Sequence, residues 1–406
     1  MTEPMDTEMY DRSEVSMFGP SMHAIPMPGI RRMINMAADR EDVIHLSIGQ
    51  PDFPTPDHIV EAHIDALRAG QTGYTMDAGL PELLTALRDY YSERYKIDRL
   101  TEENFLITTG ATEAMYLALS ATAAPGRQFI CTDPTFLLYA PLIRMNGGEV
   151  KLIPTRAEHG HQIDPQEVID AMGMRTFAIV LNSPSNPTGT VYPRETVEAI
   201  VEEAAYRGIY VFADEVYDHL ILDHMDFPSV IGCTSDLDHV MSISSFSKTF
   251  SMAGLRIGWI ISSQGAIRKL RRYHMFTTTV ANTPAQWAGV AALQGDRSCV
   301  DTMVAEYRRR RDRVVELVNE APFLQGYVPQ GAFYIFPSLP KSTDGSKLAL
   351  KMLDEIGVCV IPGDAFGEDC SNYIRISYSN NMAQIEEAFE RMIPWLKKQK
   401  LGKDYK

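Results

Sequence analysis

The feature that most constrains this chain is a series of short, almost continuously apolar segments in its middle. They are rich in β-branched residues and lie at residues 105–108, 128–132, 150–153, 177–181, 210–213, 240–243 and 259–262. Strands without polar alternation are typical of sheets that are covered on both faces. Helical patterns at residues 111–123, 165–172 and 193–207 separate several of these segments. We therefore predict an α/β fold whose large domain is a mostly parallel seven-stranded sheet covered by helices.

The two ends of the chain carry a different pattern. Helices are predicted at residues 29–37, 299–319, 346–355 and 382–397, and strands at residues 332–336, 358–361 and 373–377. These elements predict a smaller α+β domain that packs with the N-terminal segment and forms one wall of a cleft. We predict an N-terminal segment at residues 1–48, a large domain at 49–298 and a small domain at 299–406.

The balance of charged residues argues against two classes of partner. The chain has 53 acidic and 38 basic residues and a formal net charge of −15. Such a surface repels nucleic acid phosphates and anionic lipids, so we expect small-molecule partners and neither nucleic acid nor membrane. The N-terminal 17 residues are polar and acidic, without the apolar core of a signal peptide.

Cysteine usage indicates a reducing compartment. The five cysteines are widely spaced and include no Cys-x-x-Cys pair. This pattern predicts neither a disulfide framework nor a zinc site. We therefore expect no metal and a cytoplasmic location.

Lys248 lies among hydroxyl-bearing residues and glycines, just after the apolar run at residues 240–243. A lysine in this setting is either an ordinary loop residue or a nucleophilic amine. Lysine amines form Schiff bases with carbonyls when a cationic neighbour or burial lowers their pKa. Arg256 follows a few positions later and offers a fixed cation suited to a phosphate. Pyridoxal phosphate, which carries both an aldehyde and a phosphate, matches this pair.

Other candidate residues follow the predicted strands. Gly110 and Thr112 open a helix after strand 105–108, and the free N–H groups of a helix start attract anions, although an ordinary strand-to-helix turn has the same pattern. Asn186 follows strand 177–181 in a loop with two X-Pro bonds, which can be cis and would then point its amide inward. The alternative for this loop is a tight turn without a binding role.

Three further positions have two interpretations each. Asp214 follows strand 210–213 and needs a donor partner, such as the protonated nitrogen of a pyridine ring. Tyr217 could reach the same ring. Alternatively, Asp214 could cap the start of a helix. Phe136 could stack on a flat ring or belong to the core. Arg375 could bind a carboxylate through its two-pronged fork or lie on an exposed edge strand.

Seven segments in a fixed order carry a more specific signal than any single residue. They are Leu46-Ser47-Ile48-Gly49-Gln50-Pro51-Asp52-Phe53, Gly73-Tyr74-Thr75 with Gly79-Leu80-Pro81-Glu82-Leu83, Gly110-Ala111-Thr112-Glu113-Ala114, Asn186-Pro187-Thr188-Gly189, Asp214-Glu215-Val216-Tyr217, Ser245-Phe246-Ser247-Lys248-Thr249-Phe250 and Arg375-Ile376-Ser377. With these segments the chain resembles, over residues 25–392, the fold-type I pyridoxal-phosphate aminotransferases of the aspartate/aromatic aminotransferase family.

The resemblance implies a role for each matching residue. Lys248 would hold the cofactor covalently and move the substrate proton, and Asp214 would pair with the ring nitrogen. The other cofactor contacts would come from Gly110, Ala111, Thr112, Phe136, Asn186, Tyr217, Ser245 and Arg256, with Tyr74 reaching the cofactor of a partner subunit. Gly49, Asn186 and Arg375 would bind the substrate carboxylate. The resemblance thus implies a homodimer with shared sites and a ping-pong exchange between an amino acid and a 2-oxo acid.

The choice of substrate depends on the segment before Asn282. In this family, dicarboxylate-specific relatives place a second arginine there, but residues 276–281 contain none. We therefore expect aromatic or other neutral L-amino acids as donors, with aspartate as the open alternative, and 2-oxoglutarate or a similar 2-oxo acid as acceptor. Arg31, Arg32 or a mobile loop could take the place of the absent arginine.

Two rival functions share some of these features. A pyridoxal-phosphate C–S β-lyase on the same fold would use every cofactor residue and would release pyruvate and ammonia without an amino acceptor. A cofactor-binding transcriptional regulator would need an additional basic helix-turn-helix domain, for which the chain has neither the length nor the charge.

Overall fold

A computed structural model of the protein describes residues 29–38, 40, 42–399 and 401. The strands are β1 Ile44–His45, β2 Phe105–Thr108, β3 Gln128–Asp133, β4 Glu149–Pro154, β5 Thr176–Asn182, β6 Tyr210–Asp214, β7 Val240–Ser245, β8 Gly258–Ile261, β9 Tyr334–Ile335, β10 Val358–Cys359, β11 Ile361–Pro362 and β12 Ile374–Ser377. The helices are α1 Gly29–Ala37, α2 Asp57–Arg68, α3 Pro81–Tyr95, α4 Gly110–Ser120, α5 Tyr139–Met145, α6 Pro165–Ala171, α7 Arg194–Tyr206, α8 Phe246–Thr249, α9 Gln264–His274, α10 Thr283–Gln294, α11 Ser298–Glu320, α12 Gly345–Ile356 and α13 Met382–Lys398.

The predicted α/β sheet is confirmed. Its seven strands run in the order β2-β8-β7-β6-β5-β3-β4. Strand β8 is antiparallel to both of its neighbours, and the other described pairings in this sheet are parallel. Parallel strands place their carboxyl ends at one edge of the sheet, where ligands usually bind.

The apolar runs are continuous because successive side chains enter two different cores. On strand β2, Phe105 and Ile107 pack into one apolar layer, while Leu106 packs into the layer on the opposite face. Helix α4 supplies Ala114 and Leu117 to the second layer. Burial on both faces explains why these strands lack the polar alternation of a half-exposed sheet.

A third core joins the chain's two ends. Met33 and Leu46 from the N-terminal segment are buried in the same cluster as Phe389 and Trp395 of helix α13. Strand β1 pairs in parallel with β10, and β11-β12-β9 form a separate antiparallel sheet. Tyr217, which follows the large sheet, also belongs to this third core, so the region after β6 lies where the two parts of the protein meet. The domain boundaries at residues 48 and 298 stay predictions.

Several elements differ from their predicted bounds for local reasons. The strand predicted at 332–336 has only two paired residues, β9, because Ala332 adopts a left-handed φ of 57°. The strand predicted at 358–361 is two strands, β10 and β11, which pair with different partners. The helix predicted at 111–123 ends at Ser120, five residues before Pro125. Helices α2, α3, α5, α8, α9 and α10 had not been predicted.

No helix in the described part of the chain combines the length and the apolar composition needed to span a bilayer.

Candidate active site

A cleft of about 230 Å³ opens at the carboxyl edge of the large sheet. Most of the residues predicted for the site line it. They are Gly49, Ala111, Thr112, Phe136, Asn186, Asp214, Tyr217, Ser245, Lys248, Arg256 and Arg375. Gly110 lies directly behind this wall, against the Arg256 guanidinium. Tyr74 does not line the cleft and is 86% exposed.

Lys248 lies in the short helix α8, immediately after strand β7. Its half-buried amine donates a hydrogen bond to the Gly49 carbonyl oxygen at 2.5 Å. Burial, followed by the positive charges of Arg256 and Arg375, lowers the pKa of Lys248 from 10.5 to about 8, although the Asp214 carboxylate acts in the opposite direction. An amine with this pKa can hold or release a proton near neutral pH, as a nucleophile or a proton carrier must.

Asp214 is buried at the end of strand β6. Its Oδ2 accepts a hydrogen bond from the Tyr139 hydroxyl at 2.6 Å, and its Oδ1 accepts a longer one from the Val216 amide at 3.4 Å. Burial raises the pKa of Asp214, and the Tyr139 hydrogen bond offsets only part of that effect. A further donor from the cleft, such as a protonated ring nitrogen, would stabilise the ionised carboxylate.

Tyr139 is a site residue that the sequence did not reveal. It is fully buried, and a buried tyrosine hydroxyl usually has a polar partner. The signal for it was a tyrosine three positions after Phe136, but nothing in the sequence indicated that its partner would be Asp214, 75 positions away. Phe136 itself is half-buried, lines the cleft and contacts the Tyr139 ring edge-on.

The start of helix α4 and Arg256 form a cationic corner of the cleft. Gly110 has a φ of +76°, and a Cβ added to it would lie 2.5 Å from Arg256 Nη2. A Cβ on Gly258 would lie 2.8 Å from the Ala111 amide nitrogen, so this glycine lets helix α4 approach strand β8. The arrangement leaves N–H groups and a guanidinium in one corner, a combination that suits a phosphate.

Arg375 is the most deeply buried cation of the site, with 1% of its surface exposed. Its Nη1 donates to Asn186 Oδ1 at 3.0 Å, and its Nη2 donates to the Ser47 carbonyl oxygen at 2.6 Å. Its buried Nε has no hydrogen-bond partner among the described residues, and none of their carboxylates forms an ion pair with it. Burial lowers its pKa. A buried guanidinium with only neutral acceptors favours the entry of an anion such as a carboxylate.

Asn186 is oriented by two neighbours. Its backbone amide donates to Asn182 Oδ1 at 2.8 Å, and its side-chain oxygen faces Arg375. Because arginine has only donors, the Asn186 atom that faces it must be the oxygen, and the amide nitrogen is left to donate into the cleft. In this loop the Ser183–Pro184 peptide bond is cis, whereas the bond after Asn186 is not; a second cis bond, Asp133–Pro134, had not been predicted.

Tyr217 shares a hydrogen bond of 2.8 Å with Tyr334, the second site residue that sequence reasoning missed. The Tyr334 ring also lies 4.4 Å from the Arg375 guanidinium carbon. Strand β9, which carries Tyr334, comes from the small C-terminal part of the chain, so no short motif connects it with Tyr217. The side chains of Arg31 and Arg32 lie outside the described residues.

Comparisons with known proteins agree with this geometry. A sequence model of the family "Aminotransferase class I and II" matches residues 41–392. The chain is 36% identical to an aspartate aminotransferase of Pyrococcus abyssi over 92% of this chain and 96% of that protein. It is 33% identical to aromatic-amino-acid aminotransferase 2 of Thermococcus litoralis over 92% of this chain and 96% of that one. The crystal structure of an aspartate aminotransferase from Thermotoga maritima superposes with a TM-score of 0.88 at 33% identity, covering 94% of this chain and 100% of that one.

The chain belongs to the class I and II aminotransferases. Members of this family use pyridoxal phosphate, and the resemblance inferred from the sequence motifs is confirmed. The enzyme is therefore a pyridoxal-phosphate-dependent aminotransferase. The relatives' names favour amino transfer over the C–S β-lyase alternative.

The cleft of the aminotransferase fits its cofactor. The Lys248 amine could hold the aldehyde, and the guanidinium of Arg256 beside the start of helix α4 could hold the phosphate. The buried Asp214 carboxylate, which forms no ion pair among the described residues, could accept a hydrogen bond from a protonated ring nitrogen. No group of histidine, cysteine and acidic side chains suited to a metal ion occurs among the residues that the structure describes.

The lowered pKa of Lys248 predicts how stability changes with pH in the cofactor-free enzyme. Between about pH 8 and 10.5 the folded protein has released the Lys248 proton while the unfolded chain still holds it, so unfolding takes up a proton and stability rises with pH. We expect Lys248→Met to be more stable than the wild type at pH 7, with the difference shrinking by on the order of 2 kcal/mol between pH 8 and 10.5. Urea unfolding across this pH range measures the difference.

The matched control is Lys269→Met, which replaces an exposed lysine on helix α9. Its difference from the wild type should stay constant over the same pH range. A constant difference for Lys248→Met as well would show that the amine is not desolvated in the fold.

Proposed function

We propose that this aminotransferase moves the amino group of an aromatic or other neutral L-amino acid to a 2-oxo acid such as 2-oxoglutarate. The observation that carries the proposal is the presence, in one cleft, of the Lys248 amine and the buried Arg375 guanidinium, which forms no ion pair with any carboxylate of the described residues. Both substrates of such a transfer carry an α-carboxylate beside the reacting carbon. One fixed cation next to one amine therefore serves both halves of the reaction.

Each residue has a definite task in this proposal. Arg375, Asn186 and Gly49 bind and orient the substrate carboxylate, and Lys248 takes and returns the proton at its Nζ. Asp214, held by Tyr139, keeps the ring nitrogen protonated. When bound, pyridoxal phosphate supplies an aldehyde that condenses with amines and a ring that accepts electrons from the bonds of the substrate's α-carbon.

The remaining cofactor contacts are proposed from the family resemblance and from the residues that line the cleft or lie directly behind it. Gly110, Ala111, Thr112, Ser245 and Arg256 would hold the phosphate, while Phe136 would cover the ring and Tyr217 would meet its phenolic oxygen. The exchange follows a ping-pong order, in which the donor's 2-oxo product leaves before the acceptor binds. Because the carboxylate site is the same for donor and acceptor, a change at Arg375 must affect both.

The preference for neutral donors rests on the segment before Asn282. It contains no arginine, and the hydroxyls of its Thr277 and Thr278 donate to the Glu113 carboxylate, so these side chains are not arranged to receive an anion. Phe276 is 90% exposed in the same segment. The Thermococcus litoralis relative is named for aromatic amino acids, although the Pyrococcus abyssi relative is named for aspartate.

We also propose that the enzyme is a homodimer with shared sites. Tyr74, Met76, Met275 and Phe276 are large apolar side chains with substantial exposure. The hydrogen bond from Thr283 Oγ1 to the Gly73 carbonyl and the ion pair between Arg271 and Asp77 bring their two segments together. A clustered apolar surface of this kind marks an interface, and in a two-fold dimer it would meet its own copy.

We further propose a cytoplasmic location. Cys131, Cys233, Cys299, Cys359 and Cys370 are all free thiols, as in a reducing compartment.

The covalent role of Lys248 predicts where the cofactor attaches. Borohydride reduction of the loaded enzyme should fix the cofactor on the peptide that contains Lys248, which mass spectrometry identifies. Lys248→Ala should lose this attachment and should lower kcat by about a thousandfold or more, since the nucleophile and the proton carrier are both removed. The control is Lys269→Ala, at an exposed position outside the cleft, which should behave as the wild type. Attachment at any lysine other than Lys248 would contradict the assignment.

The proposed carboxylate site predicts a pattern in steady-state kinetics. With 2-oxoglutarate as acceptor, kcat/KM for phenylalanine should exceed that for aspartate by about tenfold or more, because a second carboxylate finds no cation in the segment before Asn282. Arg375→Lys keeps the charge but loses the fork, so KM should rise roughly tenfold or more for donor and acceptor alike. A clear preference for aspartate would overturn the choice of donor, and an unchanged KM would overturn the role of Arg375.

The proposed dimer predicts an effect of charge at the apolar surface. Phe276→Asp should raise the dimer dissociation constant roughly tenfold or more, because it places a carboxylate in the contact. Sedimentation velocity over a range of protein concentrations measures this. Met174→Asp, at an equally exposed apolar position outside these two segments, is the control and should leave association unchanged. A wild type that sediments at the mass of one chain at micromolar concentration would refute the dimer.

A further inference from the structure

Asp133 is a buried carboxylate to which the family resemblance assigns no role. It ends strand β3 and has 5% of its surface exposed. No arginine or lysine among the described residues forms an ion pair with it, and burial raises its pKa. A carboxylate placed in such surroundings is costly unless donors surround it. Its donors therefore indicate what it is positioned to hold.

The donors come from one loop of the C-terminal part of the chain, residues 363–370, which we call the Phe366 loop. The Asp369 amide donates to Asp133 Oδ2 at 3.4 Å, and the Cys370 thiol donates to Oδ1 at 3.5 Å. A Cβ on Gly367 would overlap the same carboxylate, so this position has room only for glycine. Asp133 thus fits closely into the Phe366 loop although the two are more than 230 positions apart in the sequence.

A backbone hydrogen bond continues the same contact. The Thr135 amide donates to the Phe366 carbonyl oxygen at 2.9 Å. The turn that begins at Asp133 also carries Phe136, which lines the cleft. The Phe366 loop is therefore fixed to the turn that supplies one wall of the active site.

The Phe366 loop in turn contacts the carboxylate-binding cation. The Phe366 ring lies 5.1 Å from the guanidinium carbon of Arg375, and Tyr334 lies 4.4 Å from it. Arginine planes pack favourably against aromatic rings, and such packing restricts the rotation of the guanidinium. The position of Phe366 therefore helps to set the direction of the Arg375 fork.

We propose that Asp133 is a positioning residue: it clamps the Phe366 loop against the Asp133–Phe136 turn and so fixes the Arg375 fork for the substrate carboxylate. This inference rests on the proposed role of Arg375. It follows that loss of the clamp weakens the binding of carboxylates more than it slows the chemistry, because Lys248 and Asp214 do not contact the Phe366 loop in the described hydrogen-bond network.

The test compares Asp133→Asn with the wild type, both loaded with the cofactor. Asparagine keeps the shape but replaces one acceptor oxygen by a donor, which must face either the Asp369 amide or the Cys370 thiol. Isothermal titration with 3-phenylpropanoate, a carboxylate that cannot be transaminated, should give a Kd raised roughly fivefold to tenfold. KM for donor and acceptor should rise by similar factors, with kcat within about twofold of the wild type.

Two further variants keep the proposal falsifiable. Cys370→Ala removes one hydrogen-bond donor to Asp133 and should raise the Kd for 3-phenylpropanoate by about twofold. If Asp133→Asn does not fold, this variant tests the clamp in its place, and an unchanged Kd would contradict it. Glu368→Gln changes an exposed residue of the same loop, whose only described ion pair is a 3.6 Å contact with Arg144, and should leave Kd unchanged.

The outcomes separate the clamp from simpler explanations. A lower Tm for Asp133→Asn with an unchanged Kd would show a purely structural role and would overturn the proposal. If Asp133→Asn bound 3-phenylpropanoate with the wild-type Kd while Arg375→Lys bound it more weakly, the clamp would be refuted and the proposed function would stand. If Arg375→Lys also bound 3-phenylpropanoate normally, the proposed carboxylate site itself would be wrong.

Discussion

The buried guanidinium of Arg375 is the constraint on which the rest of the site depends. A cation removed from water is costly, and among the described residues its partners are the neutral oxygens of Asn186 and Ser47, together with aromatic rings. Under the proposed function, an anionic substrate would supply the missing negative charge. In that proposal, the planar guanidinium itself, with two N–H groups side by side, provides the preference for carboxylates.

The parallel sheet is what brings the other groups to this cation. Four neighbouring strands, in the order β7-β6-β5-β3, end at Ser245, Asp214, Asn182 and Asp133 respectively. Asn182 and Asp214 are direct partners across the sheet. One edge of the sheet therefore supplies Ser245 and Asp214, which are proposed to contact the cofactor's phosphate and ring nitrogen, together with Asn182 beside the loop of Asn186 and Asp133 beside the Phe366 loop. Small shifts of one strand end would change several of these contacts at once.

The parts of the site that the sequence predicted are those that lie within a few residues of a strand end. Lys248 and Asp214 were predictable because a polar residue directly after an apolar run implies a position at the sheet edge. Tyr139 and Tyr334 were not, because each meets its partner across 75 or more positions, and no local pattern records such a contact. Strand β9 was overpredicted for a related reason: Ala332 has a left-handed backbone, and its amide donates to the carbonyl oxygen of Leu220, a contact distant in sequence that its apolar neighbours do not indicate.

The charges around Lys248 also connect binding with protonation. Arg256 and Arg375 both lower its pKa, while Asp214 alone acts to raise it. An anion that binds to either arginine weakens the field of that cation at the Lys248 amine, so the pKa of Lys248 must rise as the proposed phosphate and carboxylate positions fill. By the same linkage, an amine that already holds its proton binds these anions more tightly. In the proposed reaction, carboxylate binding at Arg375 and proton transfer at Lys248 are therefore coupled through the charge that Arg375 places near the Lys248 amine.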